Sequence, residues 1–428
     1  MIAALWGFAA VLLFSFIGLP LAFVTLIVGL VGFAWLRGWN WSGALATTGQ
    51  QVMEAAANYG LSVIPLFLLM GIFIHRSHVS EDLFRAAYAA VGARRGGLAQ
   101  ASVLACAGFS AVSGSSLATA ATMTRVAMPH MRRYGYDDRL SSGVVAAGGT
   151  LGIMIPPSVP LILYGLVAEQ DIGKLFVAGM IPGVLLIAVY MGAVWLTVMR
   201  NPEIGPLSRA EKISAFLRVW PILLLFGIVL GGIYFGIFTP TEAAGIGAGG
   251  AGIFALLRGG IRSFGDLSGM LIEATRTTAI LFAVIFGTLV FANFINLSGL
   301  PYDLLDLTET LGLGSMGLVL AICVICVLLG MIFETIGLLL LIVPVFLPAL
   351  YGMGVDLIWF GIVMVVVIEL GLITPPIGMN VFTVKSVMPD IALGRIFRGV
   401  MPFVLADLVA LALILIFPVI AVGLVGLM

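Results

Sequence analysis

Gly149-Thr150-Leu151-Gly152-Ile153-Met154-Ile155-Pro156-Pro157 and, 219 residues further on, Ile368-Glu369-Leu370-Gly371-Leu372-Ile373-Thr374-Pro375-Pro376 share a glycine and a Pro-Pro pair in one register. The register extends outward without a gap: Pro129 falls on Pro348, Gly135 on Gly354, Asp137 on Asp356 and Asp171 on Asp390. Glycine and proline are common in this chain, so one coincidence carries no weight. Seven in a single register, both members of a rare Pro-Pro pair included, define an internal duplication.

The medium around these segments follows from composition. Of 428 residues, 61% are hydrophobic and 9% charged, against roughly 25% charged in a soluble domain. So few charges cannot cover a water-exposed surface, so the solvent for most of the chain is a lipid bilayer. Val219 to Phe238, Ile280 to Leu297 and Gly399 to Phe417 approach or exceed the ~18 apolar residues of a spanning helix. Gly245, Gly249 and Gly252 have the spacing of a small-residue packing face. The formal net charge is zero, which gives no electrostatic basis for binding nucleic acid. Cys106, Cys323 and Cys326 all lie in apolar runs, and the Cys323-x-x-Cys326 pair has no second pair or nearby histidine, so buried packing is expected. The N-terminus lacks a basic leader and a clear cleavage site and reads as a retained membrane segment.

Loop charges orient the two halves. In the first, Arg94-Arg95 and Arg132-Arg133 to Arg139 are basic, whereas their counterparts, Thr310 to Gly317 and Tyr351 to Asp356, hold no Lys or Arg. In the second, Lys385, Arg395 and Arg398 follow the Pro-Pro segment, where the first half has only Lys174. Equivalent loops therefore face opposite sides, the charge pattern of an inverted repeat. The loop Arg200 to Arg218 and the turn Arg258 to Arg262 read as cytoplasmic, with a helix pair between them turning at Thr239 to Glu242. Ala99 to Met131 is interrupted by Ser113-Gly114-Ser115-Ser116 and has basic loops at both ends, so it predicts a re-entrant hairpin. Met316 to Leu350, turning near Gly330 to Gly337, is its counterpart. The expected fold is an all-α polytopic membrane protein: an inverted repeat with two re-entrant helical hairpins and two Pro-Pro-broken helices. Its expected parts are an N-terminal scaffold segment (1–50), a first repeat unit (51–200), a central scaffold helix pair (201–265) and a second repeat unit (266–428).

Proline lacks the N–H that would bond the carbonyl four residues earlier. If helix leads into the pairs, Pro156 and Pro157 free the carbonyls of Gly152 and Ile153, and Pro375 and Pro376 free those of Gly371 and Leu372. Unpaired carbonyls in hydrocarbon cost several kcal/mol each and persist only around a cavity or ligand. Carbonyls and hydroxyls together suit a hard cation such as Na⁺. The candidate cation ligands are thus Ser113, Ser115, Ser116, Gly152, Ile153, Gly330, Thr335, Gly371, Leu372 and Thr374. Helix N-termini at the hairpin tips favour an anionic substrate, and the substrate or cavity candidates are Gly114, Thr150, Pro156, Pro157, Glu334, Glu369, Pro375, Pro376 and Asn380. The competing reading is that Gly, Ser and Pro only kink packed helices. Paired breaks in inverted halves, each with a polar hairpin tip, favour a site. Glu334 and Glu369 are acids in apolar stretches, either functional or solvated at a cavity edge.

Enzymatic chemistry fails on inventory. His75, His78 and His130 are the only histidines, all near basic interfacial stretches, and there is no H-E-x-x-H or P-loop. Thr239-Pro240-Thr241-Glu242 reads as a helix start, with Thr239 as N-cap, Pro240 at the first position and Glu242 closing a capping box.

Gly149-Thr-Leu-Gly-Ile-Met-Ile-Pro-Pro-Ser-Val-Pro160, Tyr164-Gly165, Glu169 and Gly173-Lys-Leu-Phe-Val-Ala-Gly-Met-Ile-Pro-Gly183 closely resemble the large membrane subunit of tripartite ATP-independent periplasmic (TRAP) transporters. Thr239-Pro-Thr-Glu-Ala-Ala244 and Gly371-Leu-Ile-Thr-Pro-Pro-Ile-Gly378 agree with the same family, and the resemblance covers nearly the whole chain. Met154 stands where relatives often carry proline. The resemblance implies an elevator-type secondary transporter in a bacterial inner membrane, driven by Na⁺ and importing an organic acid such as a C4-dicarboxylate or sialic acid. It also implies two partners: a small four-helix membrane subunit as a separate polypeptide, and a periplasmic substrate-binding protein. The alternatives are a stand-alone divalent-anion/Na⁺ symporter and a non-transporting scaffold or channel subunit.

Overall fold

A computed structural model describes residues 2–77, 79–198, 208–310, 312 and 314–428. Residues 200–207 of the expected cytoplasmic loop, residues 311 and 313 of the second uncharged loop, and His78 lie outside the described residues.

The described residues form twenty α-helices. First come α1 (Ile2–Phe16), α2 (Leu21–Leu36), α3 (Trp41–Ala56), α4 (Val63–Arg76) and α5 (Val79–Val91). The first hairpin is α6 (Gly97–Ser113) with α7 (Ser116–Arg133), and the first broken helix is α8 (Asp138–Gly148) with α9 (Val159–Val167), followed by α10 (Ile172–Thr197). The central pair is α11 (Arg209–Tyr234) and α12 (Pro240–Leu257), and α13 (Phe264–Leu297) leads through α14 (Leu300–Thr310) into the second half. There the hairpin is α15 (Ser315–Gly330) with α16 (Thr335–Gly352), the broken helix α17 (Leu357–Ile373) with α18 (Met379–Val387), and α19 (Leu393–Ile416) precedes a short α20 (Val419–Val422). Six helical stretches among the described residues are long and apolar enough to cross a membrane.

The duplicated register carries over into conformation. Shifted by 219, Ser116–Arg133 becomes 335–352, the bounds of α16. Asp137 and Asp356 are both N-caps, accepting the N–H of Arg139 at 3.0 Å and of Ile358 at 2.8 Å. Gly135 and Gly354 both turn the chain at positive φ, 74° and 67°, where a side chain would be strained. Both Pro-Pro bonds are cis.

Contacts with α19 establish the inversion. The start of α8 meets the start of α19, where the Arg139 Nε donates to the Arg398 carbonyl at 3.3 Å. The start of α17 meets the end of α19, where the Trp359 indole donates to the Ile414 carbonyl at 3.0 Å. Equivalent helices thus run in opposite directions. The base of the first hairpin joins the end of the second broken segment through Arg132–Asp390, at 2.5 Å.

Two helices begin earlier than hydropathy predicts, because polar capping boxes extend them. Ser208 and Glu211 start α11, and Ser263 and Asp266 start α13. The boundary drawn at 265/266 falls inside the first turn of the latter. Thr239 and Glu242 close the expected box: the Thr239 N–H donates to Glu242 at 2.8 Å, and the Glu242 N–H returns to the Thr239 hydroxyl at 3.3 Å. The glycine face of α12 holds to expectation in part. Gly252 lies against Phe73, whereas a Cβ on Gly245 or Gly249 would meet nothing, and Gly247 and Gly250 lie against Met70 and Leu225 instead. All three cysteines are buried thiols, and Cys326 contacts the Met364 sulfur at 3.7 Å.

Candidate functional site

The two hairpin tips converge. Gly114, Ser115, Ser116 and Leu117 of the first, Glu334, Thr335 and Ile336 of the second, and Ile153 and Pro160 of the first break line one cleft of ≈ 50 Å³. That volume admits an ion or ordered water and is far below the ~300 Å³ of a small-molecule pocket.

Each tip turns because its polar residues cap the helix that follows. Gly114 takes φ 61°, and the Ser115 hydroxyl accepts the Ala118 N–H at 3.3 Å to start α7. Ser113 is drawn into the turn, its hydroxyl 2.8 Å from that of Thr119. In the second tip Glu334 is the N-cap of α16, but its side chain makes no cap bond and stands exposed at the cleft. The adjacent Thr335 hydroxyl is buried without a hydrogen-bond partner. The cleft therefore receives two helix N-termini, which favour negative charge. It also receives hydroxyls that can ligate a cation.

The breaks differ. Before Pro156 the α-helix stops at Gly148, and Thr150–Ile153 forms a 3₁₀ turn. The carbonyl of Ile153, expected to be freed, accepts the hydroxyl of Ser158. That expectation fails because helix does not lead into Pro156, and because a side chain from beyond the break folds back. Thr150 is spoken for as well, donating to the Ala147 carbonyl at 2.8 Å and lying 3.3 Å from the Tyr190 hydroxyl. In the second half helix does lead into the pair, through Ile373. The Gly371 carbonyl nevertheless accepts the Thr374 N–H at 3.2 Å, and the Thr374 hydroxyl donates to the Leu370 carbonyl at 2.5 Å. Leu372 is buried, while Pro375 and Pro376 are exposed.

The glycines serve close approach. A Cβ on Gly371 would lie 2.8 Å from the Gly330 Cα, and one on Gly152 would lie 2.1 Å from the Ser110 Cβ. Each broken helix is thus pressed against the first arm of its own hairpin. Asn380 is buried, its amide donating to the Ala146 carbonyl at 3.0 Å while its oxygen has no partner. Glu369 is fully buried with neither oxygen bonded.

Of the residues predicted from sequence, Gly114, Ser115, Ser116, Ile153, Glu334 and Thr335 come together in the cleft. Ser113, Thr150, Gly152, Gly330, Glu369, Gly371, Leu372, Thr374, Asn380 and the four prolines of the pairs do not line it. Pro160, Ser158, Tyr190 and Asp407 were not anticipated, although Asp407 was signalled by being the one acid within the apolar run of α19.

Two solved structures share this fold. The Alcanivorax borkumensis YdaH transporter matches with a TM-score of 0.67 at 16% identity over 89% of each chain. Neisseria gonorrhoeae MtrF, from a class of antimetabolite efflux pumps, matches at 0.59 and 12% identity over 87% of this chain and 83% of that one. At such identities the likeness concerns the fold. Sequence is more specific. The C4-dicarboxylate TRAP transporter large permease protein DctM of Pseudomonas aeruginosa is 36% identical over 87% of this chain and 88% of its own. The sialic acid large permease SiaM of Vibrio cholerae is 32% identical over 98% and 96%. The isethionate permease DctMQ of Oleidesulfovibrio alaskensis is 33% identical over 90% of this chain but 60% of its own. Residues 8–420 match the family described as "Tripartite ATP-independent periplasmic transporter, DctM component". The chain accordingly belongs to the DctM family of TRAP transporter large permeases, multi-pass proteins of the bacterial inner membrane that transport rather than catalyse.

Proposed function

We propose that this permease imports a small organic acid in symport with Na⁺, receiving it from a periplasmic binding protein and working with a separate small membrane subunit. The observation that carries the reading is the single cleft between inverted hairpin tips. It combines two helix N-termini, suited to a carboxylate, with the unpartnered buried hydroxyl of Thr335, suited to a cation. The relatives support the substrate class by name: C4-dicarboxylate, sialic acid, isethionate and 2,3-diketo-L-gulonate. At ≈ 50 Å³ the cleft is too small for such an acid, so substrate entry requires the tips to separate or the hairpin-bearing part to move as an elevator against the helices around it.

The test is uptake into vesicles holding the permease and its small subunit, with binding protein and a panel of organic acids outside. Replacing external Na⁺ with choline should abolish uptake, and omitting ATP should not affect it. Thr335→Ala and Ser116→Ala should each raise the Na⁺ concentration for half-maximal uptake several-fold. Uptake that ignores the choline replacement overturns Na⁺ coupling, and uptake that persists without binding protein assigns stand-alone symport.

A further inference from the structure

Buried charge elsewhere in the molecule is matched to a counter-charge. Asp82, the other buried acid, is held by Arg258 at 2.5 Å and Arg218 at 3.6 Å. Glu369 on α17 and Asp407 on α19 have no such partner. Both are 0% exposed, neither Glu369 oxygen has a hydrogen bond, Asp407 has only the Tyr190 hydroxyl at hand, and no Lys, Arg or His is buried among the described residues. Helices α17 and α19 pack against one another and against α10, whose Tyr190 hydroxyl lies beside Asp407. The ring of Phe403, one turn before Asp407, packs edge-on to that of Tyr190 at 5.3 Å. Tyr190 in turn lies 3.3 Å from Thr150. Thr150, Tyr190 and Asp407 thus bring oxygen atoms together from three elements, and α17, which carries Glu369, packs against all three.

Two ionised carboxylates without counter-charge do not persist in a low-dielectric interior, because each costs several kcal/mol; such a pair either carries protons or holds a counter-cation. An all-oxygen set with negative charge is what a hard cation accepts.

We infer that Glu369, Asp407, Tyr190 and Thr150 form an internal site for one hard, oxygen-liganded metal cation, separate from the cleft between the hairpin tips. Its position ties the two halves together: Thr150 belongs to the first break, Glu369 precedes the second, and α10 and α19 are the helices that follow each broken segment. A bound cation would therefore couple the two breaks without touching substrate. The inference stands independently of the transport reading, since it concerns a binding equilibrium measurable without a substrate.

The test uses purified full-length protein in detergent with choline chloride as the base salt. Na⁺, K⁺, Ca²⁺ and Mg²⁺ are each titrated while thermal unfolding and bound metal are followed. One of these ions should raise the unfolding temperature of the wild type saturably. Glu369→Gln and Asp407→Asn should each lose one bound equivalent, or raise its half-saturating concentration about tenfold or more. Thr239→Ala, altered in the exposed cap of α12 outside both sites, should keep that equivalent. In choline alone both carboxamide variants should unfold at or above the wild-type temperature, since each removes an uncompensated charge. Unfolding below it means the carboxylate already has a protein partner, and overturns the site. Metal binding unchanged in both variants overturns it too, as does stabilisation that follows pH and no metal ion.

Discussion

Pro156-Pro157 and Pro375-Pro376 occupy one place in a duplicated register, share a cis bond, and sit in opposite surroundings. The first pair is buried and the second exposed. Around the first, side chains close the break from within: Ser158 bonds back to the Ile153 carbonyl and Thr150 to Ala147. Around the second, helix runs up to Ile373, the Thr374 hydroxyl bonds back to Leu370, and the loop is also held from outside, by the Gly378 N–H donating to the Met331 carbonyl of the hairpin tip at 3.3 Å. Duplication therefore conserves where the chain breaks but not which break is open. An inverted repeat with one break buried and the other exposed is asymmetric between its two halves.

The largest effect expected from this difference is in accessibility. In a background without the natural cysteines, Pro376→Cys should react readily with a maleimide in membranes, and Pro157→Cys only after denaturation. Equal reactivity would mean that both breaks open together and that the asymmetry has no lasting population.

A smaller effect separates the two breaks energetically. Ser158→Ala removes a hydroxyl that satisfies a buried carbonyl and accepts the Leu161 N–H at 3.3 Å as the cap of α9. Losing both should cost about 2 kcal/mol of stability. Thr374→Ala removes one bond, to Leu370, at a half-buried position, and should cost about 1 kcal/mol or less. Thermal unfolding in detergent checks the order. Equal losses would show that the second break is as internally braced as the first.

Much of this fold was legible in sequence because its signals are local. Ser113–Ser116, the Pro-Pro pairs and the shift of arginines from hairpin bases to the loop after the second break each act where they stand. The hairpins α6–α7 and α15–α16 consequently lie within a few residues of their expected bounds. The early starts of α11 and α13 were also written locally, in Ser208/Glu211 and Ser263/Asp266, but hydropathy weights apolar runs and passes over a polar capping box. The candidate site was legible only in part. That Ser115 and Thr335 share a cleft depends on how two hairpins dock. The uptake of the Ile153 carbonyl by Ser158 depends on a backbone reversal, and the meeting of Thr150, Tyr190 and Asp407 depends on three elements far apart in sequence. Periodicity and spacing carry none of that information.

The smallest effect expected concerns the loops after the breaks, where Asp171 and Asp390 are equivalent in sequence and do different work. Asp171 caps α10, accepting the Lys174 N–H at 2.9 Å. Asp390 leaves its helix start to Ala392 and pairs with Arg132 of the first hairpin. Asparagine caps as well as aspartate does, so Asp171→Asn should be nearly silent. Asp390→Asn gives up an exposed ion pair, so its effect at neutral pH should be small, yet its pH dependence is diagnostic. The hydrogen bond from the Arg132 guanidinium, with its charge, holds the Asp390 carboxyl below the usual carboxylate range. A group depressed in the folded state contributes stability above its unfolded value and loses it as pH falls through the folded one. The gap in unfolding temperature between wild type and Asp390→Asn should therefore be constant from neutral pH down to the ordinary aspartate range and close below it. A gap that instead opens on acidification would mean that Asp390 is destabilised by its surroundings, and that the tie between the first hairpin and the second broken segment is made elsewhere.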